Sequence, residues 1–332
     1  SETHVSEGEL RKDEVTVRIN AILKGAIKIS EIEKPDGSYE VRLEVAFTNN
    51  KKESVMSIIQ QTQSPGLTRI DATEVIASEL TADVDELVAV LHSREILRLV
   101  QERGVVVFRE LNLSDEQQIA FTRTLSTTTT DFKATKITMD SSENPSAEYI
   151  RGAFYWHIDG TMGKVPQFAS VMSARRLSET GGNTEFCNTY AAYQALSDEE
   201  RAQYDDLQVV HMFEASQRYV NPEPSYELLQ RWQMFKPNVL PLVWKHRSGR
   251  NSLVLGSTAS HIEGMGLREG QALLVKLRDW STQSRFTYSH SWRLGDLVIW
   301  DNTGTMHRAT PYPLDSDRLM YRTQIDGDEP FA

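Results

Sequence analysis

Short strand-like segments separated by turn residues fill most of the chain after Tyr155, and this pattern restricts the fold more than any other feature. Two runs, Val105–Phe108 and Leu297–Trp300, are short and fully apolar, which is typical of strands that are buried on both faces. Many short strands with turn signals between them favour a β-sandwich or a barrel. The sequence therefore predicts a mainly β fold with flanking helices.

Helices are predicted at a few positions around these strands. Apolar residues recur at helical spacing over residues 83–103, and the pattern ends at Gly104. Ser114 and Gln117 form a capping box, which opens a helix that runs to about residue 125. Residues 126–150 are rich in Thr, Ser, Asp and Asn and are predicted to form a loop. Two more helices are predicted, one from Ser197 and one over residues 270–282.

The first part of the chain has a pattern of its own. Apolar and polar residues alternate between Glu14 and Phe47, which indicates half-buried strands, and Pro35-Asp36-Gly37-Ser38 has the composition of a turn. Residues 49–70 are polar and are interpreted as a connection. We therefore predict an N-terminal β appendage over residues 1–55, with its strands within 13–48, and a main domain over residues 56–332.

Charge and cysteine content exclude several kinds of partner. The formal net charge is -11 and no Lys/Arg-rich run is present, so we expect neither nucleic acid nor an anionic membrane surface as a partner. No apolar run approaches the ~20 residues of a membrane helix, and the polar, acidic start of the sequence is unlike a signal peptide. We expect a cytoplasmic protein with a small-molecule substrate, and a homo-oligomer is compatible with the sequence. The single cysteine, Cys187, lies in a predicted strand and is interpreted as a small buried residue rather than a nucleophile.

His157-Ile158-Asp159 is the strongest chemical signal in the sequence. Residues i and i+2 of a strand point to the same face, so the imidazole and the carboxylate can bind one metal ion together. A third ligand must come from elsewhere, and His307 is the best candidate. Two histidines and one carboxylate leave open coordination positions and are the typical ligand set of non-haem Fe(II) oxygenases. His-x-Asp alone is a weak motif, because a histidine on a strand is more often a packed side chain than a ligand.

The sequence around these residues resembles one enzyme family. Tyr155-Trp156-His157-Ile158-Asp159-Gly160-Thr161 is followed by Thr180-Gly181-Gly182-Asn183-Thr184, and then by Gly295-Asp296-Leu297-Val298-Ile299-Trp300-Asp301-Asn302, which leads to His307 and Arg318. These motifs, in this order and at these spacings, resemble the TauD/TfdA family of Fe(II)- and 2-oxoglutarate-dependent dioxygenases. The resemblance covers roughly Val105 to the C-terminus, and the segment before about residue 55 does not match.

The resemblance implies a double-stranded β-helix, or jelly-roll, core and a set of site residues. His157, Asp159 and His307 would bind Fe(II), while Arg318 and Thr184 would bind the distal carboxylate of 2-oxoglutarate. Arg322 matches a second arginine near the co-substrate and the substrate anion. The implied reaction hydroxylates or desaturates a small organic substrate with O2 and releases succinate and CO2. The carboxylate of Asp159 favours these outcomes over halogenation, for which related enzymes have a small residue at that position.

Other interpretations of the same residues stay open at this point. Arg318 and Arg322 are also compatible with surface ion pairs to Asp315, Asp317 or Asp326, and Gly181-Gly182 with an ordinary turn. A non-catalytic jelly-roll module that binds the metal or 2-oxoglutarate is one alternative function. A zinc hydrolase that uses the same three ligands is another.

The sequence says less about the substrate. Ala153 stands four residues before His157, where taurine dioxygenase has an asparagine, and residues 126–150 contain no histidine to match that enzyme's substrate ligand. Taurine is therefore not the expected substrate. Arg322 suggests an anionic substrate such as a carboxylate, a sulfonate or a sulfate.

Overall fold

The computed structural model describes residues 27–33, 39–49, 52–62, 68–88, 92–126 and 134–331. The chain divides into two compact units, Ser1–Gly66 and Leu67–Ala332.

The first unit contains a three-stranded antiparallel sheet with the strand order β1-β2-β3. Its strands are β1 (Ile27–Glu33), β2 (Tyr39–Asn49) and β3 (Lys52–Thr62). β1 and β2 lie within the alternating segment that predicted strands, whereas the earlier run from Val15 to Ile19 lies outside the described residues. The interpretation of residues 49–70 as a connection is wrong for β3. The register pairs Asn49 with Lys52, so only two residues separate β2 from β3, the loop length of the commonest hairpins. The predicted boundary at residues 55/56 falls inside β3, and the division into these two domains stays a prediction.

The second unit is rich in short strands, as the sequence predicts. They are β4 (Thr68–Asp71), β5 (Ser78–Thr81), β6 (Val105–Phe108), β7 (Thr135–Ile137), β8 (Gln167–Arg176), β9 (Thr184–Asn188), β10 (Gln208–His211), β11 (Asn238–Pro241), β12 (Val243–Lys245), β13 (Asn251–Leu253), β14 (Ala259–Ile262), β15 (Thr287–His290), β16 (Leu297–Asp301), β17 (Thr305–Ala309) and β18 (Leu319–Asp326).

Two of the sheets in this unit form its central core. The larger has the order β4-β5-β6-β16-β8-β18-β7, and its neighbouring strands are antiparallel except for β5 and β6. The smaller has the order β15-β9-β17 and is antiparallel throughout. Phe186 of the smaller sheet packs in one apolar cluster with Val298, Trp300 and Met320 of the larger sheet. The two sheets therefore bury their apolar residues against each other, as in a jelly roll.

Helices cover the outer faces of both sheets. They are α1 (Val84–Val88), α2 (Ser93–Arg103), α3 (Asp115–Thr124), α4 (Thr189–Gln194), α5 (Asp198–Tyr204), α6 (Phe213–Arg218), α7 (Tyr226–Gln233) and α8 (Leu267–Ser281), with 3-10 turns at Ala147–Phe154 and Ser284–Phe286. Ile96 and Phe121, on α2 and α3, pack against Val106 and Ile299 of the larger sheet. Leu274 and Leu277 on α8 pack with Cys187 and Met306 on the outer face of the smaller sheet. The prediction of a mainly β fold with flanking helices is confirmed.

The helix predictions are confirmed in place but not always in extent. The segment 83–103 contains two helices rather than one, and the second ends at Gly104, whose φ of 71° suits glycine. A capping box begins α3 at Ser114, as predicted, and a second capping box begins α5 at Ser197, where the sequence predicts the start of a helix. Residues 126–150 are not entirely loop, because β7 and the start of a 3-10 turn lie within them.

Across the described residues, the helices are all too short or too polar to cross a lipid bilayer. The cytoplasmic location stays a prediction. Cys187 is fully buried in β9, its thiol donates to the carbonyl oxygen of Ser281, and burial raises its thiol pKa, so it is not a reactive nucleophile.

Candidate metal centre

His157 and His307 are brought together by the backbone. The amide of His157 donates to the carbonyl oxygen of His307 at 3.0 Å and the reverse bond is 2.9 Å, so the two residues form an isolated antiparallel bridge at the edge of β17. Asp159 lies in a turn that continues into Gly160, whose φ is 91°. The prediction that all three residues of His157–Asp159 belong to a strand is therefore wrong. The side chains of His157 and Asp159 nevertheless lie on the same side of the backbone, because the turn begins only at Asp159.

The three predicted ligands lie close together. One ligand atom from each of His157, Asp159 and His307 falls within 4.8 Å of the others. Nε2 of His157 is 3.8 Å from Oδ1 of Asp159, and Nε2 of His307 is 4.0 Å from Oδ2. Two atoms that each lie about 2.0–2.2 Å from one ion are at most about 4.4 Å apart, and both distances fall within that span. Two nitrogens and one oxygen fit a divalent iron site, since imidazole and carboxylate are both ligands of Fe(II).

The charge states of these groups suit metal binding. Burial raises the pKa of Asp159, but the charges of Arg322, His307 and His157 and a hydrogen bond from Ser170 bring it down to about 2, so the carboxylate is ionised. Burial, with a smaller contribution from His157, lowers the pKa of His307 to about 3. The His307 imidazole is therefore neutral at physiological pH and keeps a lone pair for a metal ion.

The hydrogen bond of His157 fixes which of its nitrogens is free. Its Nδ1 lies 2.8 Å from the carbonyl oxygen of Tyr155, which can only accept. Nδ1 therefore carries the proton, and the lone pair of Nε2 points toward Asp159.

The backbone of Gly256 packs closely against the backbone of His157. A Cβ atom at Gly256 would lie 2.9 Å from Cα of His157, and Gly256 has a φ of 121°, which other residues rarely adopt. The amide of Ser257 next to it donates to the carbonyl oxygen of Trp156 at 2.8 Å. No local sequence pattern identifies Gly256, because the contact joins segments about one hundred residues apart.

Arg318 lies inside the protein and not on its surface. It is 4% exposed, its Nη2 donates to the carbonyl oxygen of Gly182 at 3.3 Å, and its guanidinium lies over the ring of Tyr312. Within the described part of the chain, no carboxylate lies within ion-pair distance of this guanidinium. Burial lowers the pKa of Arg318, yet an arginine stays charged in proteins. Among the described residues, Arg318 is thus a buried cation without an anionic partner.

The Gly181-Gly182 pair is more than an ordinary turn. A Cβ atom at Gly181 would lie 2.0 Å from the carbonyl oxygen of Pro311, and one at Gly182 would lie 3.1 Å from Nε of Arg318. Both glycines have positive φ, at 70° and 75°. The pair therefore lets two backbone segments meet and leaves room for the Arg318 side chain.

Thr184 and Arg322 lie on the two sheets that enclose the centre. Oγ1 of Thr184 accepts from Nε1 of Trp292 at 2.9 Å, which leaves the hydroxyl proton of Thr184 free to donate. Nη1 of Arg322 donates to Oδ2 of Asp159 at 3.3 Å, and Nε of Arg322 is buried without a partner among the described residues. Arg322 therefore pairs with a candidate metal ligand, and no ion pair among the described residues joins it to Asp315 or Asp317.

A cavity of about 690 Å³ lies on the other side of the smaller sheet. Its walls include Trp156, Glu185 and Arg308, which alternate along the chain with His157, Thr184 and His307. Neighbouring residues of a strand face opposite sides. This cavity is therefore separate from the candidate metal centre.

Comparisons with known proteins agree with this geometry. Residues 67–324 match the family model described as "Taurine catabolism dioxygenase TauD, TfdA family". The chain is 34% identical over 266 residues to the alpha-ketoglutarate-dependent 2,4-dichlorophenoxyacetate dioxygenase of Cupriavidus pinatubonensis, a match that covers 74% of this chain and 92% of the relative. It is 32% identical over 239 residues to the (S)-phenoxypropionate/alpha-ketoglutarate-dioxygenase of Sphingobium herbicidovorans, covering 68% and 83%.

A solved structure is also similar to this chain in both fold and sequence. The crystal structure of AAD-2 in complex with Mn(II) and N-oxalylglycine superposes with a TM-score of 0.70 at 32% identity, covering 80% of this chain and all of that one. The predictions of the family and of a jelly-roll core are confirmed.

Proposed function

The chain belongs to the TauD/TfdA family of dioxygenases, and from this membership we propose that it hydroxylates a small aryloxyalkanoate, an aromatic ether that carries a carboxylate. Its activity class is that of an Fe(II)- and 2-oxoglutarate-dependent dioxygenase, which consumes O2 and releases succinate and CO2. Two relatives are named for 2,4-dichlorophenoxyacetate and (S)-phenoxypropionate, and both compounds are aryloxyalkanoates.

His157, Asp159 and His307 are the proposed iron ligands. The ionised carboxylate and the neutral imidazole of His307 are the forms in which these groups bind a metal. Three protein ligands leave the remaining positions of a six-coordinate ion open to co-substrate and O2. Bound Fe(II) would supply the redox chemistry that couples oxidation of 2-oxoglutarate to hydroxylation, and the protein would orient both substrates and exclude water.

Arg318 and Thr184 are the proposed partners of the distal carboxylate of 2-oxoglutarate. The observation that carries this assignment is the burial of the Arg318 guanidinium without a carboxylate. A buried cation is costly unless an anion accompanies it, and a guanidinium pairs with a carboxylate through two parallel hydrogen bonds. The free hydroxyl proton of Thr184 would supply a further bond to the same anion.

Arg322 is the proposed partner of the substrate carboxylate. Its guanidinium already lies against Asp159 and therefore at the metal centre, while its buried Nε–H lacks an acceptor in the described part of the chain. A substrate anion bound there would bring the neighbouring carbon close to the iron. Arg318, which contacts Gly182 and Tyr312 instead, is left to 2-oxoglutarate.

The test of the co-substrate site is an anaerobic titration of the metal-free protein with Fe(II) and 2-oxoglutarate, followed through the visible metal-to-ligand charge-transfer band. We expect the band in the wild-type protein, its loss in His157→Ala and its weakening in Arg318→Ala. A wild-type protein without the band would refute the proposed iron and 2-oxoglutarate site.

The test of the substrate class compares succinate formation with phenoxyacetate, phenyl sulfate esters and a neutral phenyl ether. We expect turnover of phenoxyacetate, and a higher KM for it in Arg322→Ala with no change in 2-oxoglutarate affinity. Equal turnover of the neutral ether, or an unchanged KM in the variant, would contradict the assignment of Arg322.

The other functions considered from the sequence receive less support. A zinc hydrolase would leave the buried charge of Arg318 without a role, and a non-catalytic module would bind the metal without forming succinate from any substrate. Zinc alone restoring activity to EDTA-treated protein would favour the hydrolase. Self-association is a separate prediction, which sedimentation of the purified protein would test.

A further inference from the structure

Ser170 lies behind the candidate metal centre in the middle of the larger sheet. It is fully buried on β8, where the register pairs it with Trp300 on β16 and with Gln324 on β18. Its Oγ makes three contacts: to Oδ2 of Asp159 at 3.3 Å, to Nδ2 of Asn302 at 3.1 Å and to Nε2 of Gln324 at 3.4 Å. Nothing in the sequence motifs indicates that this serine reaches the carboxylate.

The hydrogen-bonding capacity of a serine determines the direction of these bonds. A hydroxyl has one proton to donate and two lone pairs that accept. The amide groups of Asn302 and Gln324 donate to the lone pairs, so the proton of Ser170 is directed to Asp159. Donors that polarise a hydroxyl in this way strengthen the bond that it donates.

The orientation of the Asn302 amide is fixed by the same reasoning. Asn302 is fully buried, and its Oδ1 has no partner among the described residues. If the amide were rotated, two N–H donors would replace one unpaired carbonyl oxygen, and the Ser170 proton would be drawn away from the carboxylate. The observed orientation is therefore the less costly one.

Both hydrogen bonds to the Asp159 carboxylate end on the same oxygen. Oδ2 accepts from Ser170 and from Nη1 of Arg322, each at 3.3 Å. Oδ1 receives no hydrogen bond from the described part of the chain and lies 3.8 Å from Nε2 of His157, whereas Oδ2, which already accepts two hydrogen bonds, lies 4.0 Å from Nε2 of His307. The described residues thus fix the Asp159 carboxylate through Oδ2 and leave Oδ1 accessible to a metal ion.

We infer that Ser170 is a positioning residue which, held by Asn302, fixes Asp159 so that Oδ1 faces the metal ion. This inference rests on the proposed function, because it takes Asp159 to be an iron ligand. Groups that orient a metal ligand typically change metal affinity about 10- to 100-fold when they are removed. Ser170→Ala should therefore weaken Fe(II) binding about 10- to 100-fold.

Ser173→Ala is the matched control. Ser173 lies on the same strand and is 2% exposed, but its hydroxyl donates to Oε1 of Gln118 on the opposite face of the sheet. Each variant loses one buried hydroxyl from β8, so both should lower the melting temperature of the metal-free protein by similar amounts. Only Ser170→Ala should change the Fe(II) dissociation constant, measured by anaerobic titration of the metal-free protein.

A loss of Fe(II) affinity more than threefold beyond that of Ser173→Ala supports the inference, and a smaller loss overturns it. Should Ser170→Ala not fold, Asn302→Leu provides the same test. It leaves the hydroxyl but removes the closer of the two amide donors that direct its proton, and we apply the same threefold limit. The proposed function fails separately, if His157→Ala binds Fe(II) as tightly as the wild-type protein does.

Discussion

Replacing Arg318 with methionine should change the stability of the protein and its affinity for 2-oxoglutarate in opposite directions. The guanidinium is 4% exposed, donates to the carbonyl oxygen of Gly182, and contacts both the ring and the hydroxyl of Tyr312. An uncompensated buried charge costs about 3–5 kcal/mol, and the lost ring contact contributes about 0.5–2 kcal/mol in the other direction. Without 2-oxoglutarate, the methionine variant should therefore be about 1–4.5 kcal/mol more stable than the wild-type protein.

The effect on co-substrate binding should be larger and of opposite sign. Removing one partner of a buried charge pair costs about 2–5 kcal/mol, which is roughly a 30- to 5,000-fold loss of affinity. Urea unfolding of the metal-free protein measures the stability, and calorimetric titration of the Fe(II)-loaded protein under anaerobic conditions measures the affinity for 2-oxoglutarate.

Arg176→Met is the control for this experiment. Arg176 pairs with Glu143 and Asp317, and its side chain is 42% exposed, so its loss should change stability by about 1 kcal/mol or less and leave 2-oxoglutarate binding unchanged. The reasoning would be refuted if Arg318→Met were less stable than the wild-type protein and bound 2-oxoglutarate equally well. Arg318 would then be a structural cation.

Three further variants test other parts of the structure. Gly256→Ala should destabilise the protein by about 1–3 kcal/mol and weaken Fe(II) binding, because the new Cβ atom would lie 2.9 Å from Cα of His157. A variant with the melting temperature and Fe(II) affinity of the wild-type protein would contradict this prediction. Burial raises the pKa of Asp301 to about 6, above its value of 3.8 in the unfolded chain, so the contribution of this carboxyl group to the free energy of unfolding should fall by about 2.4 kcal/mol as the pH rises from 4 to 7. The Asp301→Asn variant lacks this titrating group and should not show the decrease. If urea titrations gave the same difference in unfolding free energy between the two proteins at every pH, the raised pKa of Asp301 would be contradicted. Ser114→Ala removes a capping box and should lower the stability by about 0.5–2 kcal/mol with no change in 2-oxoglutarate affinity, whereas a change in affinity would mean that α3 influences the centre.

The features that the sequence predicted well are those determined within a few residues. The capping box at Ser114, the apolar strand Val105–Phe108 and the helix end at Gly104 each depend on a short local pattern. Local patterns also misled in one case. The i, i+2 spacing of His157 and Asp159 predicts a strand, but the backbone there is a single β-bridge followed by a turn.

The features that the sequence did not predict depend on strand pairing and on distant contacts. In the sequence Ser170 has no distinguishing feature, because its partners Gln324 and Asn302 are more than one hundred residues away and are brought to it by strand pairing. Gly256 is an ordinary loop glycine until its backbone meets that of His157. Periodicity identifies which face a residue lies on but not which residue it meets on the next strand.

Two buried arginines, Arg103 and Arg318, differ in the acceptors that the fold provides for their guanidinium groups. Arg103 is 7% exposed, and its guanidinium donates to the carbonyl oxygens of Thr73, Glu74 and Ala77, so the fold itself satisfies the charge. Arg318 is 4% exposed and donates to a single carbonyl oxygen at 3.3 Å. Sequence alone does not separate the two, since either arginine is compatible with an ion pair at the surface. The described residues give the Arg103 guanidinium three carbonyl oxygens and the carboxylate of Asp71 at 3.8 Å, but give that of Arg318 one carbonyl oxygen, Tyr312 and no carboxylate. A carboxylate from outside the chain is therefore the partner that would complete Arg318.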